Sequence, residues 1–178
     1  MSEIKTTIIE NKVFRFLGCV FYGNPFHSAK EWSYENEIGK LWNRFGKLTY
    51  KNSNLMKGIG VNREIAYEVH LEPEEFKETK HYYVMIGMEV KESEEIPLEM
   101  FLKIFPKANY LMFTTTMDNK WEVGGFIYKN WIPDKKYEQA YPYIIQAYDS
   151  KRYKGLDDPL SEIDWLIPIK KITGDTND

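Results

Sequence analysis

The sequence predicts an α+β fold in which two strand-helix-strand-strand units form one antiparallel sheet, with both helices on one face and a ligand groove between them. Three observations support this prediction. Apolar side chains alternate along six segments, as in strands, and recur every three or four residues along two others, as in helices. The order of these segments is the same in both halves of the chain. The 178 residues, of which 43% are hydrophobic, suffice for a substantial core.

The first predicted unit covers residues 12–91. Its three strands are rich in β-formers and end at turns or charged connections: Val13–Tyr22, Glu64–Leu71 and His81–Val90. Ser33 is predicted to cap the helix between the first two strands, since a serine oxygen can accept a hydrogen bond from a first-turn amide. The apolar stripe of this helix has helical spacing and consists of Ile38, Leu41, Trp42, Phe45 and Leu48.

The second predicted unit covers residues 92–171 and precedes a tail, residues 172–178. Pro106 interrupts the strand-like segment Leu102–Thr116, so Ala108–Thr116 is expected to be its principal strand. Asp118 is predicted to cap a helix that ends near Pro133, with a stripe of Trp121, Gly125, Tyr128 and Trp131. Two further strands complete the unit: Tyr143–Asp149 and Glu162–Lys170. We expect residues 1–178 to form a single domain.

Composition and motifs exclude several classes of function. A net charge of −3 and a pI near 5.7 disfavour direct nucleic-acid binding. Cys19 is alone, which excludes an internal disulfide and fits a reducing cytoplasm. His27, His70 and His81 lack metal-ligand spacing, and Gly58–Gly60 lacks the third glycine and the following helix of a dinucleotide-binding loop. No segment has the apolar length of a membrane helix. We therefore expect a cytoplasmic protein without metal, cofactor or membrane contact.

Gln146 is a polar residue within an apolar strand. In the segment Tyr143–Asp149 the side chains of Ile144, Gln146 and Tyr148 share one face. A buried amide without hydrogen-bond partners costs about 1–3 kcal/mol, so either the protein or a ligand must supply them. If this face is the helix face, Gln146 lies on the floor of the predicted groove.

Aromatic residues make up 16% of the chain, more than a core of this size needs, so some rings are expected to line a cavity. Trp42 and Trp131, on the two helices, either form opposite walls that stack on a ligand or belong to the core. Four tyrosines combine an apolar ring with a polar tip, and each is either a groove residue or a half-buried sheet residue: Tyr67, Tyr83, Tyr110 and Tyr148.

Five sequence segments carry a family resemblance when taken in order: EIGKLWNRF, HYYVMIGMEV, YKNWIPDKKYEQ, IQAYDSKRY and EIDWLIPIK. With them the chain resembles the gyrase-inhibitor-like effector-binding domains of multidrug-responsive transcription regulators and of integron-cassette proteins. The resemblance implies a tandem βαββ fold whose groove binds lipophilic, often cationic, aromatic compounds. It also implies a sensor rather than a catalyst. Regulation would then require a separate DNA-binding regulator as a partner, because the sequence has no helix-turn-helix pattern. Sequestration of a toxic compound is the simpler alternative.

In the family that the chain resembles, a buried glutamate faces the cation of the ligand, and the matching position here is Gln146. An amide offers a dipole where a carboxylate offers a full charge. Two possibilities follow: the chain prefers neutral aromatic ligands, or another groove residue supplies the charge. Glu68, near the equivalent position of the first unit, is the candidate. The plainer interpretation is that Glu68 faces solvent, because carboxylates are rarely buried.

Two other functions compete with the sensor. Some proteins of the superfamily that the chain resembles hydrolyse cyclopropane-containing alkylating compounds, for which a buried carboxylate would act on water. Gln146 cannot serve as a general base, which disfavours a hydrolase. A protein-binding inhibitor that mimics nucleic-acid charge is disfavoured by the net charge of only −3.

Overall fold

The computed structural model describes residues 4–172 and contains one large antiparallel sheet. Its strands are β1 Thr6–Lys12, β2 Arg15–Gly23, β3 Ile65–Leu71, β4 Tyr82–Glu89, β5 Phe101–Ile104, β6 Ala108–Thr116, β7 Tyr137–Gln139, β8 Tyr143–Asp149 and β9 Glu162–Lys171. The strand order is β1-β6-β9-β8-β3-β4-β2-β5, and β7 pairs with β9. The predicted tail, apart from Ile172, lies outside the described residues.

Short helices connect the strands. They are α1 Glu37–Lys51, α2 Ser53–Ile59, α3 Phe76–Thr79, α4 Lys120–Phe126 and α5 Ile132–Asp134, with a π-helical turn over Ile127–Trp131 that joins α4 to α5. Among the described residues, no helix is long and apolar enough to span a membrane. The same residues contain no group of His, Cys, Asp and Glu side chains that could hold a metal ion.

The predicted α+β fold is confirmed. The order β2, α1, β3, β4 recurs as β6, α4, β8, β9, and the two halves meet where β3 pairs with β8 at the centre of the sheet. Strands β1 and β7 and helix α2 are additions that the apolar pattern did not predict. All of the pairings are antiparallel, so paired residues share a face across the whole sheet.

Helix α1 begins three residues later than the predicted serine cap implies. Asn36 is its N-cap, and the Asn36 Oδ1 accepts a hydrogen bond of 2.9 Å from the backbone N–H of Gly39. Ser33 Oγ instead accepts a bond from the N–H of Glu35, within the preceding loop. Leu41 and Phe45 of the predicted stripe are buried against the sheet.

The second helix buries a different face from the one predicted. Trp121 is 64% exposed, whereas Val123, Ile127 and Ile132 are buried against β6 and β9. Val123 and Ile127 are four residues apart and form an apolar stripe on the side of the helix opposite Trp121 and Gly125, and this stripe packs on the sheet. Asn119, not Asp118, directly precedes α4, and its side chain accepts a bond from the N–H of Thr116.

The face of the sheet opposite the helices is closed by aromatic rings. Phe14 lies 5.2 Å from the ring of Phe16 on β2 and 5.1 Å from that of Tyr110 on β6. In a flat sheet these two strands, five steps apart, would be separated by about 24 Å, so the sheet must curve around the rings. Tyr67 and Tyr143 join the same cluster. Much of the aromatic excess therefore fills this concave face.

Candidate ligand-binding groove

A cavity of about 700 Å³ lies on the helix face, over the centre of the sheet. Its floor comes from three neighbouring strands and consists of Ala66, Glu68 and His70 of β3, Ile144, Gln146 and Tyr148 of β8, and Trp165 of β9. Pockets for small molecules have volumes of about 300–1,000 Å³ and mostly apolar walls with a few polar groups. The cavity has the size and composition of such a pocket.

The walls of the cavity are rich in tryptophan. Four of the five tryptophans of the chain line it: Trp32, Trp42, Trp121 and Trp165. Trp32 lies in the loop before α1, in the left-handed region with φ of 55°, and its ring meets that of Trp121 edge-on at 6.3 Å. The first half of the chain thus contacts the second across the cavity.

The loop that carries Trp32 is held in place in part through Tyr34. A side chain at Gly39 would put its Cβ 2.3 Å from the carbonyl oxygen of Tyr34, so only glycine permits this approach of loop and helix. The hydroxyl of Tyr34 accepts a 3.2 Å hydrogen bond from the N–H of Leu156, in the loop after β8. These contacts close one side of the groove.

Glu68 is buried on the floor of the cavity, with 5% of its surface exposed. Its Oε2 accepts a 2.6 Å hydrogen bond from the indole N–H of Trp42, and its Oε1 lies 2.7 Å from Nε2 of His70. The interpretation of Glu68 as solvent-facing is therefore wrong. The reason is tertiary, since the helix that covers β3 also supplies a hydrogen-bond donor to the carboxylate.

Gln146 lies directly opposite Glu68 in the β3–β8 pairing and is 4% exposed. Its Oε1 accepts a 2.5 Å hydrogen bond from the hydroxyl of Tyr148. Burial, with the nearby Glu68 carboxylate, raises the pKa of Tyr148 well above its ordinary value, so this phenol remains a donor at neutral pH. Within residues 4–172, no hydrogen bond occupies Nε2 of Gln146. The amide therefore retains two donors for a ligand.

The groove continues into a second basin of about 940 Å³. The two cavities share five lining residues: Phe26, Glu31, His70, Tyr82 and Ile144. Tyr128 and Tyr141 add aromatic rings to the second basin, while Glu72 and Lys80 add charges. His70 thus stands between a tryptophan-lined basin and a tyrosine-lined one.

Four of the eight predicted site residues line the first cavity: Gln146, Tyr148, Trp42 and Glu68. Tyr67 and Tyr110 are buried in the cluster on the opposite face, and Tyr83, 40% exposed, contacts Tyr22 on that face. Trp131 ends the π-helical turn, and its ring stacks on Tyr137 at 6.0 Å. None of these four residues lines the cavity over Gln146.

Several lining residues were not predicted. His70 is one of them, although the two-residue period of β3 places it on the same face as Glu68. Trp165 pairs with Gln146 in the β8–β9 ladder, which no local pattern indicates. Trp32 and Tyr153 lie in loops, and only the folded chain brings them to the cavity.

Residues 5–170 match the family model of the GyrI-like small-molecule binding domain. The chain belongs to this family. Comparison with curated proteins finds no match. Among solved structures, EcmrR in a complex with DNA superposes with a TM-score of 0.61 at 14% identity, over 96% of this chain and 58% of that one. The present chain therefore spans little more than half the length of that protein.

Two further structures have the same fold over nearly their full lengths. One is a protein bound to tetraphenylphosphonium, with a TM-score of 0.57, 10% identity and 94% coverage of both chains. The other is a hydrolase from Listeria innocua, with a TM-score of 0.57, 11% identity and coverage of 93% of this chain and 92% of that one. At these identities the likeness concerns the fold.

Proposed function

We propose that this chain is a small-molecule sensor whose groove binds a lipophilic, multi-ring aromatic cation without chemical change. The observation that carries the proposal is the buried carboxylate of Glu68 beneath walls of tryptophan. The proposal treats residues 1–178 as one effector-binding domain, and the unbroken sheet from β1 to β5 supports this view.

A positive ligand fits the charge of the floor. A buried carboxylate is stabilised by an opposite charge, and the N–H donors of Trp42 and of a neutral His70 supply only dipoles. The faces of the indole rings attract cations, by about 0.5–2 kcal/mol for each well-placed ring. Rings and carboxylate together therefore favour a flat cation over its neutral analogue.

Gln146 contributes hydrogen bonds in place of charge. Its Nε2 is free to donate to a ligand oxygen or nitrogen, while Tyr148 fixes the other end of the amide. In this proposal the acidic role that the family resemblance assigned to the Gln146 position belongs to Glu68, its partner across the β3–β8 pair.

A matched pair of ligands tests the proposal. The probes are 10-methylacridinium and 9-methylanthracene, which have the same shape and differ in charge, and tryptophan fluorescence reports binding. We expect saturable quenching by both, with the cation binding at least about tenfold more tightly. Glu68→Gln should abolish the preference for the cation, whereas Glu64→Gln, which alters an exposed acid at the cavity mouth, should preserve it. Absence of binding, or equal affinities in the unmodified protein, would contradict the proposal.

A regulatory role requires a partner, and we propose a separate DNA-binding regulator. The fold shared with part of EcmrR supports this step. Co-purification with such a regulator that depends on added 10-methylacridinium would support it. Absence of any such ligand-dependent association would instead favour simple sequestration of the ligand.

A hydrolase acting on alkylating compounds is the second candidate. The Glu68–His70 contact favours it, because a carboxylate beside an imidazole can orient a general base towards water. Turnover of an activated cyclopropane substrate that survives Gln146→Ala and disappears with Glu68→Gln would establish the enzyme. Binding of the substrate without turnover would support the sensor and contradict the hydrolase.

A further inference from the structure

We infer that His70 is a specificity-determining residue, whose proton competes with the positive charge of the ligand for Glu68. The inference rests on the proposed binding of a cation at Glu68. When His70 is neutral, the pair carries one negative charge and attracts a cation. When His70 is protonated, the pair is neutral overall, and the groove favours an uncharged ligand.

The geometry places the two groups in direct contact. Nε2 of His70 lies 2.7 Å from Oε1 of Glu68, whose side chain is 7% exposed, while that of His70 is 28% exposed. Solvent therefore reaches His70 more readily than Glu68. Histidine is the side chain that ordinarily changes charge between pH 5 and 8.

The surroundings of His70 contain few competing charges. Tyr82 of β4 lies beside it, with the ring centres 5.4 Å apart, and burial together with Glu68 raises the pKa of this phenol, which keeps it uncharged. Glu31 of the loop before α1, Glu72 after β3 and Lys80 before β4 line the adjoining basin and are exposed. Glu68 is the buried carboxylate in contact with the imidazole.

Competition between the proton and the cation makes the Kd of the cation depend on pH. If the cation binds only when His70 is neutral, its Kd rises by up to about tenfold for each unit that pH falls once the imidazole is mostly protonated. Binding at such a pH also releases up to one proton for each cation bound. An uncharged ligand of the same shape has neither property, because it does not compete with the proton.

The experiment measures Kd for 10-methylacridinium and 9-methylanthracene between pH 5.5 and 8.5. We expect the Kd of the cation to rise at least about tenfold towards the acid end, and that of the neutral compound to change less than about twofold. In His70→Gln, whose amide can still donate to Glu68 but does not titrate, the Kd of the cation should be flat. Calorimetry of the unmodified protein in buffers of different ionisation enthalpy counts the released proton independently of any variant.

Each outcome separates the inference from the proposed function. A cation preference with a Kd independent of pH overturns the role of His70 and leaves the function standing. A pH dependence that persists in His70→Gln assigns the titration to a carboxylate and also overturns the inference. Failure of the cation to bind preferentially at pH 8.5 overturns the proposed function itself.

Discussion

Glu68 and Gln146 face each other across the central strand pair of the sheet, one from each half of the chain. Two carboxylates directly opposite each other in a buried pair would repel, whereas an acid opposite an amide does not. The two polar groups are therefore compatible on one floor. Trp42 and His70 hydrogen-bond to the acid, and Tyr148 to the amide.

Gln146→Glu should create that repulsion. We expect the protein without ligand to lose about 1–3 kcal/mol of unfolding free energy at pH 7, and affinity for 10-methylacridinium to rise. A carboxyl whose pKa is raised in the folded state destabilises it as pH rises, so urea unfolding should show a smaller loss at pH 5 than at pH 7. Gln146→Met, which adds no charge, should not raise the affinity for the cation. Unchanged ligand selectivity in Gln146→Glu would show that residue 146 does not face the ligand.

The variants Trp42→Phe and Trp131→Phe test which of the two predicted wall residues contacts the ligand. Trp42→Phe removes the indole N–H that donates to Glu68 and part of the cavity wall, so affinity for 10-methylacridinium should fall about tenfold. Trp131 stacks on Tyr137 away from the cavity, and its variant should bind within about twofold of the unmodified protein. Fluorescence titration of the two variants measures this difference, and equal losses would contradict it.

Tyr110→Phe tests the assignment of Tyr110 to the concave core. Its hydroxyl lies 2.8 Å from that of Tyr143, and both residues are buried. Loss of one hydroxyl leaves the other without its partner, at an expected cost of about 1–3 kcal/mol in unfolding free energy. Ligand affinity should not change. Tyr50→Phe, at a residue 86% exposed, is the matched control and should alter stability by less than about 0.5 kcal/mol.

The buried tyrosines predict a loss of stability at alkaline pH. Burial raises the pKa of several phenols in the folded state: Tyr67, Tyr82, Tyr143, Tyr148 and Tyr153. In the unfolded chain these phenols lose their protons near pH 10, before they do so in the folded protein. Their contribution to the free energy of unfolding is therefore complete below pH 10 and is lost as pH rises further. Urea midpoints should fall between pH 9 and 11. Absorbance at 295 nm that reports ionisation of all 13 tyrosines near pH 10 in the folded protein would contradict this.

Much of the fold could be predicted from local patterns. The strand Tyr143–Asp149 was predicted to the residue, and the first helix was placed correctly apart from its cap. Strand β1 was not predicted, because Ile8 and Ile9 are adjacent and do not alternate, and its pairing with β6 is a long-range contact. The second helix was predicted with the wrong buried face, since Trp121 and Gly125 on one side and Val123 and Ile127 on the other both have helical spacing, and only packing against β6 and β9 decides between them.

By itself, the sequence determined that Ile144, Gln146 and Tyr148 share a face, because side chains in a strand alternate with a period of two. Only the tertiary structure decided that this face lies under the helices and that Glu68 stands opposite Gln146. It also decided that the curved sheet would enclose Tyr67 and Tyr110 on the other side. The physical reason is that alternation is a local property, whereas strand register and sheet curvature depend on the packing of distant segments.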